Sequence, residues 1–568
     1  MNAPSATERV SLAGMRMGAG ASRLWRAALF PVRYTLSLGM RQPSRLVIAP
    51  QDIRTADPTV AEEIYSGYFA FGSKGVNTHG RSPFTIDSPS VEWEAALMGF
   101  GWLRDLRAAG TPLARANASA LVDEWIALCG SPSRRLAWDA SVASRRLLSW
   151  LSHSPLVLEG ADLRFYRRFM KSIGRHVAFL RREMSSGLRG EARLQAALAL
   201  TSASLCAEGM SGTPKRAARL LASEINRQIL LDGAHIGRNP QTLVDLLLDF
   251  LPLRQAFIAR NLEVPPELVR TIDRMLPMLR LFRHSDGALA LFNGMGATQQ
   301  HALATVLAYD DALAKPIMYA IASGYQRAEA GNTIVIADMG KPPPPAFSQQ
   351  AHAGALAFEM SSSGERIVVN CGAPALRRGP MREAARLTAA HSTLTIADSS
   401  SCRFASHEGA DRWIAGQIVS GPQHVSNERF ETADGITIQA SHDGYAARFG
   451  VIHERGIAVS ADGTAVSGCD RLLPAGRQPA KGEPPDFAIR FHLAPGVAPS
   501  VLEGNTSVEI ATPQGQKWLF TCGGRPVEIV ESIFFAAADG TRTTRQIVVA
   551  GKAAAGEQVD WHFELQSA

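Results

Sequence analysis

The sequence predicts a two-part α + β protein, a helical half followed by a strand half, and three observations predict it. Apolar residues recur at helical spacing from about residue 60 to 335. Short β-branched runs separated by Asp-Gly turns fill the rest of the chain. Between the two lies Lys341-Pro342-Pro343-Pro344-Pro345, which cannot continue a helix and favours a stiff extended linker. The expected division is a variable arm over 1–55, a helical domain over 56–340, a Pro-rich linker over 341–350 and a strand domain over 351–568.

The arm carries a basic apolar patch from Leu24 to Leu38. Arg26 and Arg33 interrupt it and no small-residue cleavage site follows, so it reads as an amphipathic arm and not a signal peptide. In the helical half, Trp93, Ala96, Phe100 and Leu103 share one face, as do Leu121, Trp125 and Leu128, and later Leu147, Trp150 and Leu151. Phe165, Phe169, Ile173 and Val177 form another stripe. Leu194–Cys206 and Leu243–Phe257 are apolar nearly all round, which requires burial on more than one side. About ten such helices on short loops read as antiparallel hairpins stacked into an array or ring. In the strand half, 366–370, 392–396, 435–439 and 545–549 are β-branched runs. Turns at Asp434-Gly435, Asp462-Gly463 and Asp539-Gly540 separate them. Many short strands with no long helix among them argue a large antiparallel sandwich.

A chain of 568 residues is too long for one core. Its formal charge of +7 suits an anionic ligand, whether polysaccharide, nucleic acid or membrane surface. A mildly basic solvated surface accounts for it equally well. The six cysteines are scattered with no CxxC pair, which argues for buried thiols and against a metal cluster. No apolar stretch reaches the roughly 18–20 residues of a membrane span.

Several motifs then recur in a specific order: Gly67-Tyr68-Phe69-Ala70-Phe71-Gly72, Phe100-Gly101-Trp102-Leu103, Trp138 through Trp150 with Arg145-Arg146, and Asp232-Gly233-Ala234-His235-Ile236. In the strand half come Ala351-His352-Ala353-Gly354, Ala390-His391-Ser392-Thr393, His442-Asp443-Gly444-Tyr445 and Arg490-Phe491-His492-Leu493. Arg542 to Ile547 and Trp561 close the series. In this order they resemble the heparinase II/III-like polysaccharide lyases, from about residue 60 onward. The resemblance implies an incomplete α/α toroid followed by an antiparallel β-sandwich. It implies an acidic polysaccharide as partner, not a nucleic acid, and no cofactor. It also implies a cell-envelope or periplasmic setting, with the cytoplasm as the alternative because no signal peptide is evident. Nothing in the sequence sets the oligomeric state.

Such enzymes cleave beside a uronic acid by β-elimination. A donor neutralises the carboxylate, a base takes the C5 proton and an acid protonates the leaving oxygen. The resemblance implies His352 as base or carboxylate neutraliser, His391 as a ligand or site-shaping donor, and Tyr445 as acid or substrate contact, with Tyr325 as a second candidate. His235, Arg238 and Asn239 stand at the entry to an apolar helix, whose free N–H groups favour an anionic sugar. Arg146 is a further candidate for a carboxylate. Each has a structural alternative: packed histidines, a core tyrosine, an N-cap at Asn239 before Pro240 and a solvated arginine.

The chain also departs from the family pattern. Thr242 and Leu243 stand where a Tyr-His pair is expected, and no asparagine matches near Arg193–Gln195. The family's zinc carboxylates fall at Gly354 and Asn370, so no zinc, or a weakened site, is expected. Three functions follow: a lyase with a rearranged site, a catalytically reduced glycan-binding or envelope-assembly protein, and, with least support, a glycoside hydrolase, for which no carboxylate pair is evident.

Overall fold

The computed structural model describes residues 42–132, 136–209, 213–309, 315–376, 378–476 and 483–567, together with 12–18, 20, 21, 24 and 28. Most of the Leu24–Leu38 arm therefore lies outside the described residues.

Helices occupy the chain from Thr59 to Ala308, broken by the hairpin Tyr68–Phe71/Lys74–Asn77. They form two rings. Glu191–Cys206 and Pro240–Ala259 are buried on nearly every side and make the inner ring. Leu163–Ser185, Pro214–Gln228 and Pro266–Leu281 alternate buried apolar positions with exposed charge and make the outer ring. Caps fix the starts: Asp139 accepts from Ser141 N, Asp162 from Phe165 N, Thr213 from Arg216 N and Asn239 from Gln241 N. Edge-to-face contacts of Phe100 with Trp125 (6.1 Å) and Trp150 (5.4 Å) knit the first turn of the toroid.

Most strands of the second half form two large antiparallel sheets. The nine-stranded sheet runs in the order 528–534, 542–552, 486–493, 365–369, 358–362, 333–338, 325–330, 319–320, with 394–396 pairing 486–493. The eight-stranded sheet runs 425–432, 435–442, 451–460, 465–474, 558–567, 517–521, 507–511, 498–501. Val451–Ser460 alternates buried and half-buried positions along its whole length, as a strand with one face in the core must. Between the sheets Phe358 stacks on Trp561 at 5.3 Å, and Phe491 meets Phe520 at 5.1 Å.

The proline run differs from its expected role as a linker between domains. Tyr319–Ala320, Tyr325–Ala330 and Thr333–Asp338 already belong to the nine-stranded sheet and precede the prolines. Residues 339–357 join two neighbouring strands of that sheet. The loop lies against the toroid: Phe347 is 6.0 Å from the His235 ring, and a Cβ at Gly190 would come within 3.1 Å of Ala346 O. It is the segment that carries His352 into the seam between the two halves.

Candidate functional site

The seam is built around Asp338, at the end of a β-branched strand. Arg238 donates to its Oδ1 at 2.6 Å, and Asn293 Nδ2 donates to its Oδ2 at 3.0 Å. Asn293 also donates to Tyr325 Oη at 2.7 Å, and the Tyr325 hydroxyl donates to Arg238 O at 2.8 Å. Asn293 Oδ1 accepts from His352 N at 3.3 Å, which ties the sandwich histidine to the toroid residues. Arg238 and Asn293 hold left-handed φ values of 62° and 47°. Non-glycine residues keep such angles only when their surroundings over-determine them. Burial opposes the charge on Arg238, and Asp338 more than offsets it, so the guanidinium pKa rises. Burial pushes the Tyr325 phenol up, so it stays protonated.

Beside this network His352 and His391 form a dyad. His391 Nδ1 lies 2.8 Å from Leu387 O, and a carbonyl only accepts, so Nδ1 carries the proton. Burial lowers the His391 pKa to about 4, so the ring is neutral and its Nε2 is an acceptor. His352 Nδ1 sits 3.2 Å from that Nε2 and must be the donor. Burial, with Arg382 and His391 nearby, holds the His352 pKa well below the ordinary range. A neutral ring protonated at Nδ1 leaves a lone pair on Nε2, and that atom is buried without a hydrogen-bond partner. The arrangement is an oriented, neutral imidazole with a buried lone pair.

A buried ion pair backs the dyad. Arg455 donates to both Asp470 oxygens, at 2.8 and 3.0 Å. Its Nη1 also donates to Leu356 O at 3.0 Å and Ser392 O at 2.8 Å, on the loops that carry His352 and His391. His453 and Trp561 complete the Asp470 shell at 2.6 and 2.8 Å. Burial would raise the Asp470 pKa, but Arg455 and His453 hold it below the usual carboxylate range.

Sequence-named residues fall into three groups. His352, His391, Arg238 and Asn239 come together, with Asn239 Nδ2 donating to Gln350 at 3.2 Å while its Oδ1 caps the helix. His235 lies at the same rim, but both ring nitrogens are used: Nδ1 accepts from Gly237 N, and Nε2 faces Gln228 Oε1 at 3.3 Å. Tyr445 and Arg146 do not reach the seam. Tyr445 is fully buried, and its hydroxyl donates to Leu394 O at 2.8 Å inside the sandwich. Arg146 is fully buried in the toroid, 3.9 Å over Trp125, donating to His176 at 2.8 Å and Met98 O at 2.9 Å. Neither side chain joins the network around Asp338 and His352. Asn293, Asp338, Gln350 and Arg382 were not legible as site residues: Asn293-Gly294 reads as a turn, and Asp338 as the end of a strand.

The zinc positions do not fit a metal. A Cβ on Gly354 would lie 2.7 Å from His391 Cδ2, so the imidazole fills the space a carboxylate would need. Asn370 donates its amide to Glu359 at 3.0 Å and accepts from Ser392 N at 2.9 Å, so its side chain is held by both bonds and brings no negative charge to a cation. Among the described residues no three His, Cys, Asp or Glu side chains cluster as ligands.

A helical toroid closed by a two-sheet antiparallel sandwich is an architecture shared with solved heparinase structures. Residues 314–562 match the family model "Heparinase II/III-like, C-terminal". FtsZ-localized protein C of Caulobacter vibrioides is 31% identical over 516 residues, covering 88% of this chain and 87% of that protein. The chain belongs to the heparinase II/III-like family. Among solved structures, heparan sulfate lyase HepC from Pedobacter heparinus superposes with a TM-score of 0.61 at 16% identity, over 95% of this chain and 89% of that one. A heparinase III with methylated lysines gives 0.66 at 13% identity, over 98% and 90%. At such identities the likeness is one of fold.

Proposed function

We propose that this protein is a lyase acting on a uronic-acid-containing polysaccharide, with His352 as the base of β-elimination. The observation that carries the reading is the His352 Nε2 lone pair, left unprotonated and without a hydrogen-bond partner by the His391 contact and by burial; because that atom is closed to solvent, a substrate reaches it only when the seam opens. The base breaks the C5–H bond, the electron pair forms the C4–C5 double bond, and the C4–O bond to the neighbouring sugar breaks. The uronate must be neutralised for C5–H to be acidic. Arg382, whose Nη2 donates to Gln350 O at 3.1 Å, places positive charge next to His352 for that task. Arg238 serves through Asp338 as a positioning residue. Tyr325 shares Asn293 with His352 and is the phenol in reach of the network. To protonate the leaving oxygen it must release the Arg238 carbonyl.

The test is incubation of the purified protein with a panel of uronate polysaccharides, read by the ultraviolet absorbance of the unsaturated uronate product. A second reading has its own support. The relative that matches over most of both chains is named for localisation with FtsZ, and Tyr445 is sealed in the core. In that reading the fold is a glycan-binding or envelope-assembly module with reduced catalysis. Binding of acidic glycans without any unsaturated product favours it.

A further inference from the structure

The outer ring of the toroid is electrically lopsided. Helix Leu163–Ser185 carries seven Arg or Lys against one Glu, and helix Pro214–Gln228 four against one. Their combined excess of nine exceeds the +7 of the entire chain. The rest of the molecule is close to neutral, so the basicity is local and not a general solubility charge.

Arg164, Arg167, Lys171, Lys215, Arg216 and Arg219 are exposed. Among the described residues none of the six has a carboxylate partner, whereas the neighbouring Arg168 pairs with Asp123 at 2.7 Å. On the first helix, 164, 167, 168 and 171 follow the i, i+3, i+4 rule and form one stripe. A helix of that length runs about 34 Å. Both helices pack on the same inner helix, Glu191–Cys206.

The C-terminal ends of the two helices reach the seam, while the six exposed cations lie in the first turns, at the opposite ends. Beyond Ser185 the chain passes to Gly190, whose carbonyl accepts from Gln228 Nε2 at 3.1 Å. The second helix ends at Gln228, which faces His235. Gly190 abuts Ala346 of the loop that bears His352. Both helices thus end at the rim of the candidate site.

We infer that the outer wall formed by Leu163–Ser185 and Pro214–Gln228 is a second binding surface, outside the cleft, for an acidic polysaccharide chain. Polysaccharide as the occupant rests on the function proposed above. One observation favours it over a bilayer. Of the exposed large apolar side chains, only Leu163, at one end, belongs to either helix, so little is available to insert into lipid. A bound chain is held by several weak, screened contacts, and affinity falls steeply with salt.

The experiment measures binding of size-defined heparin oligosaccharides by the intact protein across a salt series. It compares the parent with R164Q/R167Q/K171Q/K215Q/R216Q/R219Q. A surface control, R378Q/R542Q/R545Q, removes exposed charge elsewhere. All these side chains are solvent-facing, and circular dichroism confirms the fold. The wall variant is expected to lose at least about tenfold in affinity, with a shallower salt dependence, while the control and His352→Ala bind as the parent does. Unchanged heparin binding by the wall variant overturns the inference. So does loss of binding to phosphatidylglycerol vesicles with heparin binding intact, which assigns the wall to a membrane. If no polyuronate is cleaved while the wall variant still loses heparin, the lyase reading fails and the wall stands.

Discussion

Asp470→Asn should destabilise the fold by several kcal/mol, because it strands a buried guanidinium. Arg455 and Asp470 are both fully buried. Loss of the carboxylate charge leaves Arg455 without a counter-ion in the sandwich core, and breaking a buried pair from one side costs about 3–5 kcal/mol. At about 2–4 °C per kcal/mol this lowers Tm by on the order of 10 °C. The double variant Arg455→Met/Asp470→Leu should recover part of the loss, because apolar replacement of a buried pair is near neutral. It should not recover all of it. The carbonyls of Leu356 and Ser392 would lose their shared donor, at about 1–3 kcal/mol for each buried group left unpaired. Urea unfolding followed by circular dichroism and tryptophan fluorescence measures all three proteins. A single variant within about 1 kcal/mol of the parent, or a double variant no more stable than the single, refutes the view that this pair clamps the two histidine loops.

Three further outcomes follow from the same geometry. Tyr445→Phe should cost about 1–2 kcal/mol of stability through the lost bond to Leu394 O and leave turnover on any substrate unchanged, since the hydroxyl is sealed from the cleft; a large fall in kcat alone would put Tyr445 back in the chemistry. Gly354→Asp with Asn370→Asp should not create a zinc site, because the new side chain meets His391; elemental analysis after dialysis should find far less than one zinc per chain, and a stoichiometric metal would contradict this. Acid should destabilise the protein early. His235 and His391 titrate at about 4 when folded and His492 at about 3, all depressed by burial. Their stabilisation is complete above the unfolded value of about 6.5 and is lost as pH falls toward the folded values. The urea midpoint should therefore drop between pH 7 and 5, and a flat profile over that range would contradict neutral buried imidazoles.

Much of the architecture was legible because periodicity reports burial. The inner helix Glu191–Cys206 announced itself by having no polar face, and the strand Gly435–His442 by its β-branched run after an Asp-Gly turn. The domain boundary was misplaced because four prolines are a louder signal than a six-residue strand. Thr333–Asp338 is β-branched enough to read as strand, yet only its pairing with Phe358–Ser362 shows that the prolines interrupt a sheet. In the site, the two dyad histidines stood out by motif, but their relation did not. It depends on Leu387 O and on the space left by Gly354. Arg146 misled because an arginine is usually solvated. Its burial among Trp125, Trp138 and His176 requires partners 30 and 48 residues away in sequence. Asn293 carried no signal, since its role depends on a left-handed turn that brings it between Asp338, Tyr325 and His352.

The central claim is that His352 Nε2 is a working base. The direct measurement is the initial rate of unsaturated-uronate formation by the parent and by His352→Ala, on the best substrate of a polyuronate panel, with matched folding and heparin binding. Loss of a general base predicts a fall of about 10²–10⁴-fold in kcat with little change in binding. Equal rates for the two proteins, or no unsaturated product from the parent on any polyuronate, would contradict it.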